Sequence, residues 1–440
     1  MLAINGGGSP LANYKSHLIH LKSLLSILPS DRRKPDGVTV LSSDGPDPAP
    51  DVATREWETA GAGWQFVGTK LEDHLGPEVT SLESSEIPGV HLVPATRAAL
   101  SIWSLTVGQN LQAGDTLLIY VTDHGTRGAT PDANRIVLWG KGESLSVGDL
   151  RQVLATFPPG VRVVTLMSQC FSGAFADLQW PSDKDRSPSG DFCGFFASPA
   201  NRPAFGCYPE TRDKLRVGHS FAFFRALQAS GGHFEEAHRM VAERDDTPDI
   251  PLRTSDVYLE RLLERDAAHR KLRATANIDR LLVEAEAGPA CCQRQRDSLE
   301  RLYRRFGVLP RWRVSGLADH GVTMKRLAEE LREALARIGP AHEELNRRRL
   351  DSLLDAQPRW RSIIDPPRVA ALLPAARLQL KTELLTDLDR DRGTPLASEV
   401  NQAKELRESL MELAHRMDVR AGIVQRARIL LQEIAGRHYL

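Results

Sequence analysis

Two residues suited to covalent catalysis stand at the ends of two apolar runs. Asp115-Thr-Leu-Leu-Ile-Tyr-Val-Thr-Asp-His-Gly-Thr-Arg-Gly128 runs an apolar segment straight into His124 and Gly125. Val161-Arg-Val-Val-Thr-Leu-Met-Ser-Gln-Cys-Phe-Ser-Gly173 repeats the arrangement and ends in Cys170, 46 residues after the histidine. A thiol beside an imidazole is the minimal nucleophile–base pair for acyl transfer, because histidine favours the thiolate and later protonates the leaving amine. Taken singly, the His-Gly also reads as a turn, and the cysteine as a small buried hydrophobe. Together, their order, spacing and placement point to a site.

Such a pair needs elements that bring it together. Short apolar runs bounded by turn residues predict strands at Leu2–Ile4, Val38–Leu41, Thr116–Thr122, Val161–Met167 and Phe192–Ala197. Helical spacing predicts Tyr14–Leu28, Thr96–Leu105, Val147–Phe157, Val217–Ala229 and Phe234–Arg244. Strand–helix alternation implies a mostly parallel sheet with helices on both faces, whose chemistry gathers at the carboxyl ends of the strands. Residues 43–95 are polar, rich in Pro, Gly, Asp and Ser, and read as an insertion or long surface loop. Beyond residue 251 the apolar positions recur every three or four residues, at Val257–Glu286, Gln293–Arg305, Met324–Leu354, Arg368–Asp389 and Ser398–Glu433. Breaks are expected at Gly288–Pro289, Gly339–Pro340, Pro366–Pro367 and Gly393–Pro395, giving a bundle of five or six helices.

Charge marks the same division. The 57 basic and 57 acidic residues cancel overall, yet residues 1–250 carry 22 basic and 29 acidic side chains, and residues 251–440 carry 35 and 28. Of 33 glycines, 25 precede residue 251. The fold class expected is therefore α/β followed by all-α: a sheet domain over 1–250 and a helical domain over 251–440. No apolar run suits a membrane span and the N-terminus lacks the pattern of a secretory signal, so a cytoplasmic protein with no membrane partner is expected. Five cysteines without CxxC spacing argue for reduced thiols, and no metal or cofactor is expected.

At this point the motifs resemble a known family. Thr122-Asp123-His124-Gly125 with Gly128 matches the TDHGxxG block of the legumain-like cysteine peptidases, within the caspase-fold clan that also holds gingipains and metacaspases. Ser168-Gln169-Cys170-Phe171-Ser172-Gly173 is similar to the family's EACxSG block, Asn13-Tyr14-Lys15 to its Asn-Tyr-Arg, and Gly206-Cys207-Tyr208 to its Ala-Cys-Tyr. The resemblance covers about residues 1–255. It implies a caspase-like fold and a cysteine endopeptidase acting on protein or peptide, with Cys170 as nucleophile and His124 as acid–base partner. Asn13 would orient the imidazole, and the N–H groups of Gly125 and Cys170 would form the oxyanion hole. Asp123 corresponds to an aspartate linked in that family to peptide ligation; it also reads as a strand-end carboxylate held by backbone N–H groups.

Departures from the family concern specificity. The resemblance places Lys15, Ser168 and His219 at the S1 pocket, where the family has an arginine and two acids. Lys15 and His219 are both donors and potential cations, so cleavage after Asp or Asn is expected. The polar segment Asp177–Asp191 lies where caspase-like enzymes are often cleaved on activation, and it also reads as a surface loop.

Other signals carry less. Gly6-Gly7-Gly8-Ser9 lacks nucleotide-loop spacing and reads as a turn that places Asn13 and Lys15. Cys193, Cys207, Cys291 and Cys292 show no paired zinc-ligand spacing and read as structural thiols. The arginines of 301–313 read as a solvated helix face, so no nucleic-acid partner is expected. The leading expectation is a peptidase whose helical domain controls access or binds a regulatory protein. The alternatives are a transamidase or ligase of the same fold, and a catalytically silent caspase-like adaptor.

Overall fold

The computed structural model describes residues 1–28, 37–55, 63–77, 79–180, 187–207, 217–287, 292–306, 313–390 and 393–440. It is mixed α/β with a mostly parallel central sheet, and 58% of it is helical. Seven strands build the sheet: β1 Leu2–Asn5, β2 Thr39–Ser42, β3 Leu92–Val93, β4 Thr116–Val121, β5 Arg162–Met167, β6 Phe192–Phe196 and β7 Leu252–Arg253. Their spatial order is β7-β6-β5-β4-β1-β2-β3, and β7 alone among them runs antiparallel to its neighbour.

The five expected strands lie within a residue or so of where the apolar runs put them. The two further strands have two residues each, too short to show any periodicity. One of them, β7, lies beyond residue 250, so the sheet reaches past the expected boundary.

Alternation along the strands explains why both faces are covered. Leu117, Ile119 and Val121 of β4 pack with Trp103 of helix α2 (Arg97–Thr106) and Leu150 of α3 (Val147–Leu154). Tyr120 points the other way, with Leu18 and Leu21 of α1 (Lys15–Ile27), Phe223 and Phe224 of α4 (His219–Ala229), and Val241 of α5 (Phe234–Arg244). Helix starts follow the local chemistry. Thr96 caps α2 by accepting the Ala99 N–H at 3.2 Å, and Ser146 with Asp149 forms a capping box on α3.

Beyond β7 come α6 Thr254–His269, α7 Ala274–Ala287, α8 Gln293–Phe306, α9 Val314–Ala356, α10 Pro374–Asp389 and α11 Pro395–Tyr439, with short helices at Arg359–Ile363 and Pro366–Ala370. The single helix expected over Val257–Glu286 is two, α6 and α7. The break expected at Gly339–Pro340 is absent, because α9 runs 43 residues through Pro340. Pro340 and Ala336 are both exposed, so water can satisfy the carbonyl that proline leaves without a donor. Helix α11 packs alongside α9: Gly321 lies against Val424 and Arg332 pairs with Asp418, an antiparallel arrangement. The break expected at Gly288–Pro289 lies outside the described residues. Among the described residues no helix is long and apolar enough to cross a membrane.

The segment expected as a loop over 43–95 is partly core. Its strand Val52–Arg55 pairs antiparallel with Thr80–Glu83. Phe66, Leu71 and Leu75 are sealed against Leu350, Leu353, Trp360 and Leu384 of the helical half. The Asn346 amide donates to the carbonyls of Trp64 (2.8 Å) and Val67 (3.0 Å). Polar composition hid three buried apolar residues whose partners lie nearly 300 residues away.

The two halves meet along a seam built from the charge asymmetry. Acids of the sheet half pair with arginines of the helical half: Asp177 with Arg261 at 2.6 Å, Glu243 with Arg301 at 2.8 Å and Asp246 with Arg305 at 2.7 Å. Arg426 of α11 is fully buried and donates to the carbonyls of Asp245 (2.7 Å), Thr247 (2.6 Å) and Asp249 (2.7 Å).

Candidate active site

Register brings the two strand ends level. Met167 of β5 pairs with Val121 of β4, and Ile4 of β1 pairs with Val121 from the other side. His124 lies three residues past Val121 and Cys170 three past Met167, so both leave the same rim, and both are half-buried. The chains there approach so closely that only glycine fits at 125. A Cβ on Gly125 would stand 1.9 Å from the Cys170 carbonyl oxygen. Gly125 also opens a small antiparallel sheet, pairing with Ile136. After the cysteine, Phe171 takes a left-handed conformation (φ +60°) and accepts no helical register until Ser172. This turn leaves Cys170 at the corner.

His124 is oriented by a main-chain carbonyl. Its Nε2–H donates to the Ala12 oxygen at 2.7 Å, which leaves the lone pair on Nδ1. The rings of Tyr14 and His17 meet it edge-on at centroid distances of 4.8 and 5.0 Å. Burial lowers its pKa, and the bond to Ala12 opposes that. Asn13, the expected orienting residue, does not touch the imidazole. Its amide nitrogen donates to Ser43 Oγ (2.7 Å) and the Asp51 carbonyl (3.0 Å), and its oxygen accepts from Asn5 (3.0 Å). The correction is one of position along the chain: Asn13 pins the loop, and its neighbour's carbonyl meets the ring.

Asp123 is a strand-end carboxylate held by backbone N–H groups. Its buried carboxylate accepts N–H groups from Gly6, from Gly7 at 3.0 Å and from His124 at 2.6 Å. Burial pushes this carboxyl up to about 8, while the three donors pull the other way. Gly7, at φ +69°, allows the turn that delivers these donors.

The thiol of Cys170 is lowered to about 6. The first cause is a hydrogen bond from the Cys207 thiol; the N–H groups of Ala204, Gly125 and Cys170 itself add to it, and burial opposes. Ala204 N stands 3.3 Å from the sulfur. Cys207 is pushed well up by the same bond and by burial. Its sulfur lies 3.4 Å from the Asp123 carbonyl and within 4.8 Å of ring nitrogens of both His17 and His124. Cys207 therefore touches Cys170 on one side and faces the two imidazoles on the other.

The residues assigned to S1 do not supply a free cation. Lys15 pairs with Glu83, and burial lowers its pKa. Ser168 and His219 do come together, Oγ to Nδ1 at 3.0 Å, in a buried chain continuing through Ser220 to Tyr120. His219 is 1% exposed and burial brings its pKa to about 3, with Arg426 adding to the effect. It is neutral, and the expectation of a charged donor there is corrected on that ground.

A cleft of about 1060 Å³ opens beside this rim, between Arg225, Arg244 and His415, with Ala204 to Cys207 as one wall. Neither Cys170 nor His124 lines it. Tyr208 and residues 181–186 of the Asp177–Asp191 segment lie outside the described residues.

His17 and Arg426 were not marked in the sequence, and Cys207 was read there as a structural thiol. His17 follows Tyr14 by one helical turn on the face that carries Leu18 and Leu21, and that periodicity was the available signal. Nothing local ties Cys207 to Cys170.

No family model matches the chain, and no curated protein matches it. Eight solved chains do. One is the crystal structure of protein GSU0716 from Geobacter sulfurreducens, 15% identical, covering 36% of this chain and 72% of that one with a TM-score of 0.27. A likeness that low carries no argument about fold or activity.

Proposed function

We propose that the chain is a cysteine endopeptidase with a caspase-like catalytic half over 1–250, regulated by its helical half over 251–440. The observation that carries this reading is the level ending of β4 and β5, which sets a half-buried cysteine of lowered pKa and a carbonyl-anchored histidine on one rim. On this reading His124 Nδ1 takes the Cys170 thiol proton as the sulfur attacks a peptide carbonyl, and the imidazolium gives that proton to the amine as the C–N bond breaks. Water, deprotonated by His124, then releases the acyl-enzyme. The N–H groups of Gly125 and Cys170, now directed at the sulfur, are the donors an oxyanion would take. With Lys15 already neutralised by Glu83 and His219 uncharged, the P1 preference leans to the amide, Asn, over Asp.

Regulation runs through the seam. Arg426 holds the strap 245–249, and the Asp249 carboxylate of that strap accepts the Phe205 N–H at 2.6 Å, one residue from Ala204 on the Cys170 sulfur.

The test is a library of peptides varied at P1, together with a thiol-directed peptide electrophile. Wild type should turn over a subset and be labelled at Cys170; Cys170→Ala should lose at least 1,000-fold in rate, and its labelling, while keeping its melting temperature. Equal behaviour of the two proteins sinks the reading, and a preference for Arg or Lys at P1 sinks the specificity.

A further inference from the structure

We propose that His17, His124 and Cys207 form a binding site for one zinc ion, and that its occupation silences the rim. The silencing rests on the peptidase reading above; the binding does not.

The three side chains come from distant points in the chain: His17 from α1, His124 from the end of β4, Cys207 from the segment before α4. One donor atom from each lies within 4.8 Å of the others, the only such cluster found among the described residues. Two imidazoles and a thiolate are ligands that zinc prefers, in a tetrahedron with a fourth position left over. Donor atoms about 3.5 Å apart complete such a shell at ordinary Zn–N and Zn–S lengths, so side-chain rotations of about an ångström close it.

A second observation points the same way. His17 is 1% exposed and neither of its ring nitrogens has a hydrogen-bond partner. Buried polar groups are nearly always satisfied, so an imidazole with both nitrogens idle, facing a thiol and another imidazole, lacks a ligand. His124 is already prepared: donation from Nε2 to the Ala12 carbonyl fixes the tautomer and aims the lone pair of Nδ1, as the outer partners of metal-bound histidines do.

Binding displaces the Cys207 thiol proton to solvent and leaves zinc bonded to one sulfur and two nitrogens. A fourth position is left over, and the Cys170 sulfur already touches Cys207. Whether water or Cys170 fills it, the lone pair that His124 needs as a base is spent on the metal.

The experiment uses the full chain, stripped with a chelator and titrated with zinc alone against a chromophoric competitor, then with cobalt(II) in parallel. One equivalent of zinc should bind, and cobalt should give tetrahedral visible bands with a thiolate charge-transfer band. His17→Gln and Cys207→Ser, each checked for native circular dichroism, should weaken zinc at least tenfold, and Cys207→Ser should abolish the charge-transfer band. Peptide hydrolysis, if present, should fall with one equivalent of zinc and return with chelator. Absence of stoichiometric binding overturns the proposal. So does binding that both variants leave intact, or a wild-type cobalt spectrum with no thiolate band. If zinc binds as expected and no peptide is ever cut, the site stands and the peptidase reading falls.

Discussion

The seam between the halves and the rim of the sheet both bury polar groups, and they treat them in opposite ways. At the seam every nitrogen of the Arg426 guanidinium donates to a carbonyl, and Glu243 takes bonds from Ser298 and Arg301. At the rim, His17 has two idle nitrogens, and Cys170 and Cys207 lean on each other with their pKa values driven apart. Satisfied burial makes a joint. Unsatisfied burial is not confined to the rim, since His342 of the helical half also buries both ring nitrogens without a partner; what sets the rim apart is that its unpaired imidazole faces a thiol and a second imidazole.

The largest effect should come from breaking the joint. Arg426→Leu removes a buried cation and strands three carbonyls, those of Asp245, Thr247 and Asp249. Its expected cost is about 3–5 kcal/mol, read as a lower urea midpoint. Because Asp249 holds Phe205 beside Ala204, labelling of Cys170 should also change. A loss under about 1 kcal/mol would mean that the seam is not the satisfied region it is taken to be.

A second, smaller effect belongs to the rim. A thiol lowered to about 6 keeps its thiolate as the pH falls toward that value, so its alkylation rate should rise through about pH 6 and level off by neutrality. Cys207→Ala removes the leading cause and leaves the backbone donors. The midpoint should then move up toward that of an ordinary thiol, slowing alkylation at pH 7 by about tenfold. Peptide mapping assigns the label to Cys170. An unmoved midpoint would show that Cys207 does not tune the nucleophile, and would bring the rim closer to the seam in character.

How much of this was legible follows from range. Thr116–Val121 and Arg162–Met167 are short apolar runs with turn residues after them, so their ends, and with them His124 and Cys170, could be placed without coordinates. The carboxylate of Asp123 was legible as one of two readings, because a strand end followed by glycines offers N–H groups. Range defeated the rest. His219 reads as a donor until Phe223 and the buried Ser168 close around it. The stop expected at Pro340 ignores the second long helix packed alongside α9. Phe66, Leu71 and Leu75 sit in a polar stretch, and their burial depends on residues near 350–388. The orienting group at His124 is a carbonyl, which has no side-chain signature at all.

The smallest effect tests the rim at its most telling residue. His17 occupies a sealed position on the face of α1 that also buries Leu18 and Leu21, and an imidazole there loses its hydration with no bond in return. Replacing it with Phe exchanges an unsatisfied polar ring for an apolar one on the same helix face. Burial of unpaired polar atoms costs about 1–3 kcal/mol, and the larger ring spends part of the gain on repacking against Tyr14 and His124. His17→Phe should therefore be neutral or more stable by about 1 kcal/mol in urea unfolding with chelator present. The same substitution at the seam's buried His238, whose Nδ1 is also unpaired but whose Nε2 stands 3.9 Å from the Asp256 carboxylate, should give a smaller gain. If His17→Phe instead costs more than about 2 kcal/mol, the two nitrogens have partners, and the rim buries its polar groups as the joint does.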